Sequence, residues 1–435
     1  LSNSNLPKWP MPINSSPAST SNKPRPWSTF EFFVIAFMAL TPVVYRSFNL
    51  LGLLIILFSV IVALKYRDDL PKMSREMRWL CYLLSINLVL ALFYVVIGRD
   101  SFGIAKDPLK LMGMIPIMLA IQILGMRLDR LYMGLALGML GASIVVTYQI
   151  QVLGIDRAGE VYNPNVYSEV AMVSGSALLC SVIFLSGWKK AFAIAGAIAA
   201  FYCVLISQSR GTLLAIIPMG MVAIIALTRF RHFDYILGSA TQRKTLIGIA
   251  GVIVIAGASL GYKYGGDMLD RYNLVVDELV TYTEDRTTGS SVGIRLELWY
   301  GAWLSFKQAP LTGIGSDNRR KYLSDLESEG ILHLNAYPWR HNHSDYFDSL
   351  QRQGLPGMLI VIGLYGILFI SYWRGLAGST REQFGLALGG LLLVTGYASF
   401  SLTEVPLRNS LTLVFFSVLN AILLGMLRGT PGEQE

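Results

Sequence analysis

The run His341-Asn342-His343-Ser344-Asp345-Tyr346-Phe347-Asp348 gathers imidazoles, carboxyls, an amide and hydroxyls at the head of an apolar stretch expected to be helical from about Leu355 to Trp373. Ionisable side chains are costly to hold at a membrane boundary, so the cluster reads first as a functional site acting on something at the membrane surface. A neutral imidazole with an ordinary pKa near ~6.5 can take a proton from a hydroxyl at neutral pH, which makes His343 a candidate general base. Two plainer readings compete: His343 caps the following helix, or it belongs to a metal site with His341, Asp345 and Asp348, which share a helical face at spacings of four and three. That spacing matches no zinc pattern and no further His or Cys ligand is evident, so no metal is expected.

Two arginines are the other chemical candidates. Arg210, in Ser207-Gln208-Ser209-Arg210-Gly211-Thr212, sits where one apolar span ends and the next begins. Gly211 permits a sharp turn, and the following helix offers free N–H groups to an anion. The plain alternative is a snorkelling interfacial arginine. A lone cation on a short outer connection, however, runs against the usual charge bias. Arg295 and Trp299 lie four apart on a helix expected over Val292 to Gln308, so the guanidinium can stack on the indole or pair with an acid. As a phosphate clamp, its planar fork would match diphosphate oxygens better than an ammonium. Glu404 and Arg408, between the last two spans, are candidates for substrate positioning or for orienting catalytic groups. His341 could share duties with His343, and Tyr346 and Trp299 are candidates for substrate positioning or for anchoring at the interface.

The elements that must position these groups follow from composition. With 435 residues, 53% hydrophobic, 15% charged and a mean hydropathy of +0.50, the chain has the make-up of an all-α polytopic membrane protein. Cys81, Cys180 and Cys203 fall in apolar segments and read as packing residues. The net charge of +8 comes from basic residues scattered over short connections, so it speaks of membrane orientation and not of nucleic acid.

Twelve spans are expected, at about 29 to 46, 48 to 64, 77 to 97, 107 to 125, 131 to 153, 165 to 186, 190 to 207, 211 to 228, 245 to 262, 349 to 373, 383 to 402 and 408 to 427. Pro108 and Pro116 interrupt the fourth. Residues 1–27, rich in Ser, Asn and Pro, are expected to be a disordered tail, residues 28–262 to hold spans one to nine, and residues 341–428 to hold spans ten to twelve, before a short tail at 429–435. The excess of Lys and Arg on one set of connections puts both termini in the cytoplasm. Residues 263–340 exceed ordinary loop length and are expected to fold as a helical cap on the outer face. The expected parts are helices at 267–285 and 292–308, a turn over Ala309 to Gly315, and a charged helix N-capped by Asp317.

Sorted by depth, Glu169, Arg210, His343, Glu404 and Arg408 all fall at the outer boundary, and mid-span positions are almost free of charge. A proton-coupled transporter or flippase would be expected to place such groups near the midplane, with inverted repeats.

His343-Ser344, followed after nine residues by Gly354 and then Leu355-Pro356-Gly357, resembles the signature of the O-antigen ligases. The Ser-Arg-Gly-Thr turn and the segment from Arg295 to Pro310-Leu311-Thr312-Gly313-Ile314-Gly315 resemble other blocks of the wider ligase and polymerase superfamily. The resemblance implies a GT-C-like fold and a glycosyltransferase of the bacterial inner membrane with a periplasmic active site. Its donor would be O-antigen polysaccharide on undecaprenyl diphosphate, its acceptor a sugar hydroxyl of lipid A-core, and its needs would include neither metal nor nucleotide cofactor. It further implies inversion at the anomeric carbon, with His343 as base and Arg210 and Arg295 on the diphosphate. An O-antigen polymerase or a protein O-oligosaccharyltransferase would use similar groups on the same donor.

Overall fold

Apolar runs of this length can satisfy their backbone groups away from water only as helices. In the computed structural model, which describes residues 26–70, 72–155, 157, 163–229, 291–334, 341–378 and 380–428, all regular structure is helical. The α-helices run in the order α1 (Pro26–Leu40), α2 (Ser47–Lys65), α3 (Arg75–Val96), α4 (Lys106–Met112), α5 (Met114–Leu124), α6 (Leu128–Gln151), α7 (Pro164–Ser181), α8 (Gly187–Ser207), α9 (Arg210–Leu214) and α10 (Ile216–Arg229). Beyond residue 290 come α11 (Ser291–Gln308), α12 (Ser316–Ser328), α13 (Asp345–Gly375), α14 (Arg381–Phe400) and α15 (Ser410–Arg428).

Among the described residues, nine helical segments are long and apolar enough to cross a membrane, so the chain is a multi-pass membrane protein. The apolar part of α1, Thr29–Leu40, is shorter. α7 carries Asn165, Ser168, Glu169, Ser174 and Ser176, polar residues that make it less lipid-like. The span expected at 245–262 and the helix expected at 267–285 lie outside the described residues. The proline-interrupted fourth span is a 3-10 turn followed by α4 and α5, with the break at Gly113.

α14 and α15 are almost wholly enclosed, with α7, α5 and α13 packed around them, while α2, α3 and α10 leave residues such as Ile61, Val89 and Ile217 exposed. Exposed apolar faces are what a lipid-facing helix should present. A separate small core of Leu298, Leu323, Leu326, Leu332 and Leu334 ties α11 to α12.

The feature that sets up the site is a break in α13. Gly354 has φ 64° and ψ −156°, a conformation open essentially to glycine alone, and Pro356 two residues on lacks an N–H. The break frees three carbonyls, and each finds a partner. Ile314 N donates to Gln351 O at 2.9 Å, Gly315 N to Arg352 O at 3.0 Å, and the Tyr94 hydroxyl to Gln353 O at 3.0 Å. In return the Leu355 N–H donates to Pro310 O at 2.8 Å. The Pro310–Gly315 turn therefore docks onto the break by backbone hydrogen bonds, and this fixes the end of α11 against the start of α13. A Cβ at Gly354 would lie 2.5 Å from Pro310 O, and one at Gly313 would collide with the Arg352 carbonyl.

The expected Asp317 cap is corrected. α12 begins at Ser316, Gly315 occupies the cap position without a side-chain bond, and the Ser316 N–H is satisfied by Asp100 Oδ1 at 2.6 Å from a distant loop. A cap supplied across the fold leaves no local sequence signal.

Candidate functional site

Four polar loops and helix starts meet at one end of the bundle. Asn163 caps α7, accepting from Asn165 N at 2.9 Å, with Pro164 preset for the first helical turn. The Gln208–Thr212 turn packs on the 401–404 loop so closely that a Cβ at Gly211 would lie 2.5 Å from Thr403 Oγ1. That loop in turn holds the start of α13: Asp345 N donates to Ser401 O at 3.1 Å and Ser344 Oγ to the same carbonyl at 2.9 Å. Two residues at this end, Gln208 (φ 53°) and His343 (φ 48°), take the left-handed backbone that non-glycine residues rarely adopt. Such strain persists only where surrounding contacts over-determine it, and it gathers at functional sites.

The contacts that hold His343 centre on Asn342. Its Nδ2 donates to Gln351 Oε1 at 2.9 Å, its N–H to Asp348 Oδ1 at 3.2 Å, and its Oδ1 accepts from Arg319 at 2.6 Å. The Trp299 indole N–H donates to Asn342 O at 2.9 Å, and the ring stacks on Phe347 with centroids 5.0 Å apart. Trp299 thus braces the histidine segment, with one ring face already covered.

Around a cavity of about 450 Å³ stand Arg210, Arg295, Trp299 and Glu404, together with Arg157, Asn165, Glu169, Gln208 and Thr403. Both sequence-predicted arginines therefore meet in one place, although Arg210 arrives on a five-residue helix too short for the helix-terminus argument to matter. Glu404 is the hub. Its Oε1 accepts from Asn165 Nδ2 at 2.6 Å and lies 3.6 Å from the Arg295 guanidinium, while its Oε2 lies 3.5 Å from His343 Nδ1. Burial pushes the Glu404 carboxyl up, but the hydrogen bond and charge of His343, then Arg295 and Asn165, outweigh it and leave the group below its ordinary value.

His343 does not line the cavity and reaches it through Glu404. The His341 ring packs edge-on against His343, centroids 4.4 Å apart, and burial, aided by His343, draws its pKa down to about 4. His341 is therefore a neutral neighbour at working pH.

Two further candidates sit apart. Tyr346 turns inward, donating to Ala398 O at 2.9 Å, and Arg408 pairs with the fully buried Asp348 at 2.6 Å. In the same segment His341 precedes the helix, Asp345 accepts from Ser401 Oγ and Leu407 N, and Asp348 binds Arg408 and Arg352. Among the described residues no group of three His, Cys, Asp or Glu side chains could hold a metal ion.

Arg157, Asn165 and Arg319 escaped sequence reasoning. Arg157 donates to Ser207 O at 3.3 Å and lies in a polar loop without periodicity. Arg319, 3% exposed, looks in the sequence like part of a solvated charged helix.

A protein described only as uncharacterized, from Haemophilus influenzae, is 19% identical over 401 residues, covering 90% of this chain and 96% of its own. The O-antigen ligase family model matches residues 195–362, the segment that contains Arg210, Arg295, His343 and Gly354. Across residues 195–362, then, the chain is similar to the O-antigen ligase family.

Proposed function

We propose that the protein is a metal-independent glycosyltransferase that moves O-antigen polysaccharide from undecaprenyl diphosphate to a sugar hydroxyl of lipid A-core. The reaction takes place at the periplasmic face of the bacterial inner membrane, on a twelve-span, GT-C-like scaffold with both termini cytoplasmic. The observation that carries this reading is the single cavity in which Arg210 and Arg295 meet, joined through Glu404 to His343.

Each group has a task that its surroundings suit. Glu404 accepts a hydrogen bond from Nδ1–H of the neutral His343 ring, which leaves the Nε2 lone pair to accept the proton of the acceptor hydroxyl. Their 3.5 Å separation puts the carboxylate within reach of the ring to orient it. The freed oxygen attacks the anomeric carbon, the bond from that carbon to the diphosphate oxygen breaks, and the configuration inverts. Arg210 and Arg295 stabilise the negative charge that builds on the departing diphosphate, a role worth roughly 10²–10³ in rate for one well-placed donor.

The test is to express His343→Ala in a strain lacking the gene and to analyse lipopolysaccharide beside carrier-linked glycan. Full-length glycan accumulating on the carrier with bare core is the expected result. Core bearing one repeat unit would identify a polymerase instead, and long chains at wild-type level would remove His343 from the chemistry.

A further inference from the structure

Glu169 on α7 lines the same cavity, is 2% exposed, and takes no hydrogen bond or ion pair from any described residue, its Oε2 being enclosed without a partner. Two neighbouring cavity residues share the trait: Thr403 Oγ1 and Gln208 Oε1 are also enclosed without a hydrogen-bond partner among the described residues. Buried polar groups in folded proteins nearly always have partners, so three such oxygens around one cavity call for something that enters it.

The chemistry of the visitor can be narrowed. Arg210 and Arg295 suit an anion, but the charged groups acting on Glu169 are the acids Glu404 and Asp345, so a phosphate beside Glu169 would be repelled. A hydroxyl would be welcome there, because a carboxyl, an amide and a threonine hydroxyl can each bond to one. One ligand with an anionic end and a hydroxyl-rich end fits both walls.

We propose that Glu169, Gln208 and Thr403 form the subsite for the hydroxyls of the sugar joined directly to the diphosphate. This rests on the reading of Arg210 and Arg295 as the diphosphate site. The sugar's hydroxyls replace the partners the three side chains lack, so the subsite adds affinity for the glycan-bearing carrier and none for the bare carrier.

The full-length protein in detergent is titrated with two probes: undecaprenyl diphosphate, and the same carrier bearing a single sugar. Glu169→Leu is expected to weaken binding of the sugar-bearing lipid about tenfold and leave the bare lipid unchanged. Glu169→Gln, which keeps hydrogen-bonding capacity, should bind both as the wild type does. Thr403→Val, of equal volume, should repeat the selective loss and serves if Glu169→Leu does not fold. Equal weakening of both lipids, or no change in either, overturns the subsite. Arg210→Ala separates the underlying reading: it should weaken both probes, and if it weakens neither, the diphosphate assignment fails whatever Glu169 does.

Discussion

Glu404 Oε2 lies 3.5 Å from His343 Nδ1, and the other oxygen of the same carboxylate serves Arg295 and Asn165. One acid therefore couples the proposed base to the wall of the proposed leaving-group site. A partner that orients a catalytic imidazole typically changes activity by roughly 10–100-fold when removed. Glu404→Gln is expected to lower the rate of glycan transfer by about that factor while the thermal midpoint moves by only a few degrees. Transfer at the wild-type rate would mean that His343 works without this carboxylate.

Acid should act on stability through His341. Its imidazole is held down to about 4 against an ordinary 6.5, so as pH falls from 6.5 the unfolded chain takes up a proton that the folded chain refuses until about pH 4. The unfolded state binds more protons across that window, and the destabilisation grows through it and levels off below. His341→Gln abolishes this titration. The difference in thermal midpoint between wild type and variant, followed from pH 7 to pH 4, should move in the variant's favour as pH falls. A difference that stays flat would show that His341 is more hydrated than the fold implies.

The sequence exposes the actors of this site better than their connections. His343, Arg210 and Arg295 stand out because charged groups are rare in so apolar a chain, and Gly354 stands out by its spacing from His343. Partnerships are formed by the fold and leave no trace along the chain. Tyr346 and Arg408 share the polar cluster's neighbourhood, yet Ala398 O and Asp348 draw them elsewhere. Arg319 has the local setting of a solvated helix, but Gln351 and Asn342 reward its burial with bonds of 2.6 Å each. Asp100 caps α12 from 216 residues away, a relation no window along the chain could show.

The break in α13 makes a prediction about glycine. At Gly354 a methyl group would meet Pro310 O at 2.5 Å on a backbone that only glycine takes readily, so Gly354→Ala must undo the docking of the Pro310–Gly315 turn. A cost of about 2–4 kcal/mol is expected, with loss of transfer activity because the turn sets α11, and with it Arg295, against α13. Gly366 lies on the same helix with open space, clear to 4 Å, where a methyl group would sit, and Gly366→Ala should be neutral or slightly stabilising. Thermal unfolding of both variants in detergent checks the contrast; equal midpoints would show that the break tolerates a side chain.

Asp348 is fully buried, accepts from Arg408 at 2.6 Å, faces Arg352 at 3.4 Å and takes the Asn342 N–H at 3.2 Å. Removing one partner of a buried pair leaves the other charge uncompensated, typically at about 3–5 kcal/mol, and here two guanidinium groups would be left. Asp348→Ala should therefore be among the most destabilising substitutions at this end of the bundle. Arg408→Ala should cost less, since Arg352 still faces the carboxylate. Because both partners act on one carboxylate, the double variant Asp348→Ala with Arg408→Ala should be less unstable than the sum of the two single changes. A double-mutant cycle on thermal unfolding reads this coupling directly, and strict additivity would show that Asp348 and Arg408 stabilise the protein independently.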